Sequence, residues 1–217
     1  VGRLGADIKV LIGDLSEAQC PAKLVDDALK AFGGLDAVVS NAGITSPAPL
    51  IDLSVSKWDK LLNVNTRATL LLAQAAYPAL KESKGALIAV ASMSGMGAHP
   101  GMGAYSPSKA ALISLCQVLA QEWACDGINV NTVSPGMIRT PLTQKVYENN
   151  QIAKERAALV PWGRVGNPED ISNVISFLLS PEANYITGQN ILVDGGFVDS
   201  LYSHIPGLPN SSEIDKT

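Results

Sequence analysis

Tyr105 and Lys109 stand four residues apart in the run Tyr105-Ser106-Pro107-Ser108-Lys109. A free phenol titrates near pH 10 and exchanges protons poorly at neutrality. Bringing it to about 7 requires roughly 4 kcal/mol of preference for the phenolate, at about 1.4 kcal/mol per pK unit. A positive charge about 4 Å away, at an effective dielectric near 20, supplies about that much. One lysine therefore suffices to tune the tyrosine for general acid–base work. On a helix the two residues share a face, and Pro107 is tolerated in a first turn, where its missing N–H has no intrahelical partner. Ser92, thirteen residues before Tyr105, offers a hydroxyl to hold the reacting oxygen. With 5 tyrosines and 11 lysines in 217 residues, the tyrosine–lysine spacing arises by chance in about one chain in four. Alone, it describes equally well a solvated lysine beside a partly buried tyrosine.

The elements that must position these groups are legible from the apolar pattern. Near-continuous Val/Ile/Leu/Ala runs at Ile8–Gly13, Leu35–Ser40, Ala86–Ala91, Ile128–Val133 and Asn190–Val193 predict parallel strands covered on both faces. Between them, helices are predicted at about Glu17–Phe32, Val55–Leu80, Ala104–Ala124 and Pro168–Leu179. In the first, Leu24, Ala28, Ala31 and Phe32 recur at helical spacing. Pro168 followed by Glu169 and Asp170 opens the last, with acidic groups at the positive end of its dipole. The alternation implies an α/β fold, a doubly wound parallel sheet whose ligands bind beyond the carboxyl ends of the strands. The domain is expected to span residues 1–201, and the Pro-, Gly- and Ser-rich residues 202–217 to form a loose tail.

The bulk numbers exclude other classes. A net charge of −4 with no long basic run argues against nucleic-acid binding. No apolar stretch is long enough for a membrane span, and no secretory signal precedes the domain. Cys20, Cys116 and Cys125 lack metal-ligand spacing. No metal is expected, and reduced thiols in a cytoplasm are the plain reading.

The order of the motifs says more than any one of them. Asn41-Ala42-Gly43, Asn65 in Asn63-Val64-Asn65, Ser92, Tyr105, Lys109, Ser134-Pro135-Gly136 and Val193-Asp194-Gly195-Gly196 follow one another. This order and spacing resemble the short-chain dehydrogenase/reductase family from about Lys9 to Phe197. The resemblance implies a Rossmann-like fold, NAD or NADP as cofactor, an alcohol or carbonyl compound as substrate, and a homodimer or homotetramer. It implies Tyr105 as the catalytic acid–base and Ser92 as the residue that orients the carbonyl. Lys109 would lower the tyrosine pKa and hold the nicotinamide ribose, and Asn65 would anchor a water linking Lys109 to solvent. Asn41, Ala42 and Gly43 would line the adenosine side, and Asp14 and Leu15 would contact adenine. Pro135, Gly136, Ile138 and Thr140 would cradle the nicotinamide and phosphates. The helices carrying Asn65 and Tyr105, with the Asp194-Gly195-Gly196 turn, belong to subunit contacts in the family.

The sequence departs from the family at its start. The family opens with a strand and a turn resembling Thr-Gly-x-x-x-Gly-x-Gly, which cradles the pyrophosphate at a helix N-terminus. Val1–Ala6 is instead similar to the end of the helix before the family's third strand. An N-terminally incomplete domain lacking two strands is the expectation. In the family strand order 3-2-1-4-5-6-7, this leaves both Ile8–Gly13 and Leu35–Ser40 without a neighbour. The residue that selects NAD over NADP is not among these 217. Two alternatives accompany the dehydrogenase reading. One is a non-catalytic fragment or oligomer subunit that binds no dinucleotide. The other is a sugar-nucleotide epimerase or dehydratase, disfavoured because only about twenty residues follow Asp194-Gly195-Gly196. Ser94 is read as pocket lining, His99 and His204 as surface histidines, and Cys116 as a packed thiol. Trp162 lies between two predicted helices, where core packing and substrate contact weigh equally.

Overall fold

The computed structural model describes residues 7–205. Helix α1 spans Cys20–Phe32 and leads to strand β1, Ala37–Ser40. Helix α2 (Val55–Leu62) runs through one π-helical turn, 63–67, into α3 (Ala68–Ser83), and β2 covers Ala86–Val90. Helix α4 is Tyr105–Trp123, followed by β3 at Asn129–Pro135. Helices α5 (Gln144–Tyr147), α6 (Asn150–Leu159) and α7 (Pro168–Leu178) precede β4, Asn190–Val193. The strands form one parallel sheet in the order β1-β2-β3-β4.

The sheet is an α/β layer structure because its central strands are apolar on both faces. In β2, Leu87 and Ala89 point to one side and pack with Val25 of α1, Ala73, Ala76 and Leu80 of α3, and Leu112, Cys116 and Ala120 of α4. Ile88 points to the other side and joins Val133, Ile171 and Leu178 beneath α7. Cys116 is a packed thiol, its pKa pushed up to about 12 by burial. At the entry to α7, the Asp170 carboxylate accepts the Asn167 N–H at 2.7 Å, capping the helix as its acidic first turn predicts.

Three expectations change. Ile8–Gly13 is not a strand: among the described residues it pairs with none, and Ile12 is 95% exposed. An apolar run becomes a strand only where another strand accepts its hydrogen bonds, and here none lies beside it. The single helix expected over Val55–Leu80 is two helices joined by the π turn. The region from Pro141 to Val165, expected as a loop, folds α5 and α6, the latter capped by Asn149, whose side-chain oxygen accepts from the Gln151 and Ile152 amides. A 3₁₀ turn at Val198–His204 crosses the expected 201/202 boundary. Val1–Ala6, the rest of the tail from 206 onward and the His204 side chain lie outside the described residues.

Candidate active site

The unusual residues collect where β1, β2, β3 and β4 end. Asn41-Ala42-Gly43 follows β1, Ser92 follows β2, Pro135-Gly136 closes β3, and Asp194-Gly195-Gly196 follows β4. Asp194 organises the last turn by accepting from the Gly196 and Val198 amides at 2.9 and 2.7 Å.

Helix α4 carries the centre. It begins at Tyr105, so Tyr105 and Lys109 are one turn apart, as their spacing requires. Lys109 is 3% exposed. Its Nζ donates to the Val90 carbonyl at 2.7 Å and lies 5.9 Å from the centre of the Tyr105 ring. The lysine therefore spans from its helix to the end of β2, the strand that delivers Ser92. The Ser92 hydroxyl is hydrogen-bonded with the Tyr105 phenol, and its oxygen also accepts from the Ser94 N–H at 3.1 Å. Serine, tyrosine and lysine thus form a connected group.

Asn65 joins β1 to that group. Its amide is 1% exposed. It donates to the Ile44 carbonyl at 3.0 Å and the Ser108 hydroxyl at 2.9 Å, and accepts from the Ile44 N–H at 2.8 Å. Ser108 in turn donates to the Tyr105 carbonyl at 2.7 Å. The side chain expected to anchor a water is instead occupied as a clamp between the loop after β1 and the first turn of α4. Asn65 sits in the π turn, a distortion that occurs most often at functional sites. Gly43 lies against the same cluster. A Cβ there would come within 3.3 Å of Lys109 Nζ and 3.6 Å of Asn65 Oδ1.

The electrostatics differ from simple tuning by one charge. Burial raises the Tyr105 phenol above its ordinary value, with the Ser92 hydrogen bond pulling the other way. Burial also draws Lys109 down to about 8. Both groups favour their neutral forms because both are desolvated, and the ammonium is directed at the Val90 carbonyl. The expectation of a phenol lowered by Lys109 does not hold for this structure.

The other predicted residues surround the centre. Gly136 donates to the Val193 carbonyl at 3.0 Å, and a Cβ on it would strike Asp194 at 2.4 Å, so only glycine fits between the ends of β3 and β4. Ile138 is buried beneath α7. Thr140 is fixed by Thr143, whose hydroxyl accepts the Thr140 N–H at 3.0 Å. Asp14 accepts the Ser16 N–H at 2.8 Å, which lowers its pKa. The Ser16 carbonyl accepts from Arg67 at 2.6 Å, tying the Asp14-Leu15 turn to the π turn that holds Asn65. Trp162 is largely exposed rather than part of the core. Three contributors escaped the sequence reading: Ser108 as the bridge to Asn65, the Val90 carbonyl as the lysine's acceptor, and His99, whose Nδ1 lies 3.0 Å from Ser94 Oγ. Backbone acceptors leave no trace in residue type. Ser108 is a helix hydroxyl without a motif of its own.

Fold and site together define an α/β protein with an acid–base centre at the carboxyl edge of a parallel sheet. A family profile described as enoyl-(acyl carrier protein) reductase matches residues 1–198. The chain is 39% identical over 178 residues to 3-oxoacyl-(acyl-carrier-protein) reductase FabG of Thermotoga maritima, covering 81% of this chain and 71% of that protein. It is 38% identical over 186 residues to the (3R)-3-hydroxyacyl-CoA dehydrogenase of Homo sapiens, covering 84% and 70%. The crystal structure of the TT0495 protein from Thermus thermophilus superposes with a TM-score of 0.82 at 36% identity, covering 87% of this chain and 80% of that one. The chain belongs to the short-chain dehydrogenase/reductase family of NAD(P)-dependent oxidoreductases.

Proposed function

We propose that Tyr105 is the general acid–base of an NAD(P)-linked interconversion of an alcohol and a carbonyl compound, with Ser92 orienting the carbonyl oxygen. The observation that carries this reading is the connection of three groups on two elements: a phenol hydrogen-bonded to Ser92, beside a lysine buried at the end of the same strand. The dinucleotide, when bound, supplies or accepts the hydride at the substrate carbon. The residues present suit such a group. Gly43 leaves the loop after β1 open beside Lys109 and Asn65, and Gly136 allows the β3 and β4 ends to approach. Asn41, Ala42, Gly43, Asp14 and Leu15 would hold the adenosine portion, and Lys109, Pro135, Gly136, Ile138 and Thr140 the nicotinamide side.

The protein's own part is proton transfer. Because burial holds Tyr105 neutral, the phenol arrives with its proton and donates it to the carbonyl oxygen. The phenolate left behind faces Lys109. At about 6 Å and an effective dielectric near 20, a protonated lysine steadies it by about 3 kcal/mol. A drop of about 2 pK units for the phenol follows as the lysine charges. Lys109, drawn to about 8, takes up or releases a proton near neutral pH, so the pair passes a proton without carrying a permanent buried charge. The family's subunit contacts and the unpaired thiols fit a homodimer or homotetramer in a cytoplasm.

Tyr105→Phe removes one oxygen and leaves the packing. NAD(P)H-dependent reduction should fall about a thousandfold, while the dinucleotide affinity of the variant, followed by fluorescence titration, stays near the parent's. Turnover within threefold of the parent would show that Tyr105 is not the acid.

A further inference from the structure

The segment between Ser92 and Tyr105 holds a second polar pair that the acid–base centre does not use. Ser92 opens a 3₁₀ turn over Met93–Gly95, and its Oγ accepts the Ser94 N–H at 3.1 Å, so Ser94 stands immediately beyond the reacting hydroxyl. The Ser94 side chain is 6% exposed and its Oγ lies 3.0 Å from Nδ1 of His99. A hydroxyl has one proton to donate. Were Nδ1 the protonated nitrogen of a neutral ring, the Ser94 proton would be left without an acceptor among the described residues. That waste is avoided when Nδ1 accepts it, which puts the ring proton on Nε2. His99 itself is exposed, so Nε2–H is presented outward.

It is presented to a defined space. A cavity of about 410 Å³ is lined by Leu50, Met96 and Pro100 together with Ser94, His99 and Ser106. Apart from the imidazole, no titratable side chain lines it. The Ser106 hydroxyl, on the residue after Tyr105, is closed off from water and has no hydrogen-bond partner among the described residues. An apolar wall with two hydrogen-bonding groups, one of them unsatisfied, suits a ligand that is mostly hydrocarbon and carries oxygen acceptors.

We propose that Ser94 and His99 are specificity-determining residues that donate a hydrogen bond to a second carbonyl oxygen of the substrate, selecting β-oxoacyl compounds over simple ketones. This rests on the reading that Tyr105 and Ser92 act on the first carbonyl. The short link from Ser92 to Ser94 is why the second oxygen belongs close to the reacting carbon. An acyl group also has lone pairs enough to satisfy Ser106.

The test compares ethyl 3-oxobutanoate with 2-heptanone, which has the same chain length but lacks the ester oxygens. The quantity read is the ratio of kcat/KM for the ester to that for the ketone. His99→Ala should lower this ratio about tenfold, the worth of one hydrogen bond to a substrate oxygen. Ser94→Ala, which frees the ring to turn, should lower it about threefold. A ratio within twofold of the parent in His99→Ala, or equal losses for both substrates, would overturn the proposal. A second measurement does not need turnover. The chain has 2 histidines, so His99 Nε2 is assignable by nitrogen NMR using His99→Gln. The ester should shift that resonance and 2-heptanone should leave it in place; an unmoved resonance with the ester overturns the proposal. A parent that oxidises NAD(P)H with neither compound, yet shows the shift, counts against the oxidoreductase reading and leaves the donor assignment standing.

Discussion

Two apolar runs, Ile8–Gly13 and Ala86–Val90, are written in almost the same residues and meet opposite fates. Ala86–Val90 is buried throughout, hydrogen-bonded on both sides to β1 and β3, and feeds Ser92 and the Val90 carbonyl into the acid–base centre. Ile8–Gly13 makes no ladder, and Val10 is 75% exposed. The difference lies outside both segments. One has strands on each side and helices on each face, whereas the other has neither within the described residues. Strand propensity is fitness for a pleated surface that other elements complete, and the same residues are core or surface according to their neighbours.

Truncating the buried run should have the largest effect on stability. Leu87 is wholly buried between α3 and α4, so Leu87→Ala removes its transfer free energy and leaves a cavity that its neighbours fill poorly. The expected loss is about 3 kcal/mol by urea denaturation. A loss below about 1 kcal/mol would mean that the core beside β2 collapses freely onto the gap.

A smaller effect tests the charge at the end of the same strand. Lys109 binds a proton below about 8 in the folded protein and near 10.5 when unfolded. Between these values the unfolded chain holds more protons than the folded one, so the Lys109 contribution rises with pH and its penalty is fully present below about 8. From pH 7 to 9.5 the parent should gain about 2 kcal/mol relative to Lys109→Met, at about 1.4 kcal/mol per pH unit beyond 8. Parallel stability curves for the two proteins across that range would place the ammonium in water. Lys9, in the contrasting segment, is exposed and has no comparable site.

What the sequence disclosed follows the same division. The four strands that pair were visible because their apolar runs are short, β-branched and bounded by turns. The helical spacing of Tyr105 and Lys109 placed them on one face from residue order alone. The π turn at 63–67 was not visible, since Asn63-Val64-Asn65 fits an ordinary helix. The direction of the Tyr105 and Lys109 shifts was missed because spacing reports proximity and says nothing of solvent: the Coulomb attraction was legible and the desolvation that outweighs it was not. His99 looked like a surface imidazole because its partner is a serine five residues earlier, a pairing that a turn creates and no motif announces.

The smallest expected effect is the one that cuts closest to the comparison. In a ladder strand, a polar residue at an inward position loses the burial of a valine and adds a hydroxyl that needs a partner, which costs about 2 kcal/mol or more. Val10 has little burial to lose, because most of its surface already meets solvent. Val10→Ser should therefore change the unfolding free energy by no more than about 0.5 kcal/mol. Hydrogen exchange adds a readout without mutation: the amides of Ala86–Val90 should exchange only with global unfolding, and those of Ile8–Gly13 at nearly unprotected rates. A Val10→Ser loss near that of Leu87→Ala, with slow exchange across Ile8–Gly13, would show that in solution the segment has found a strand to pair with, and that the two runs differ less than their burial says.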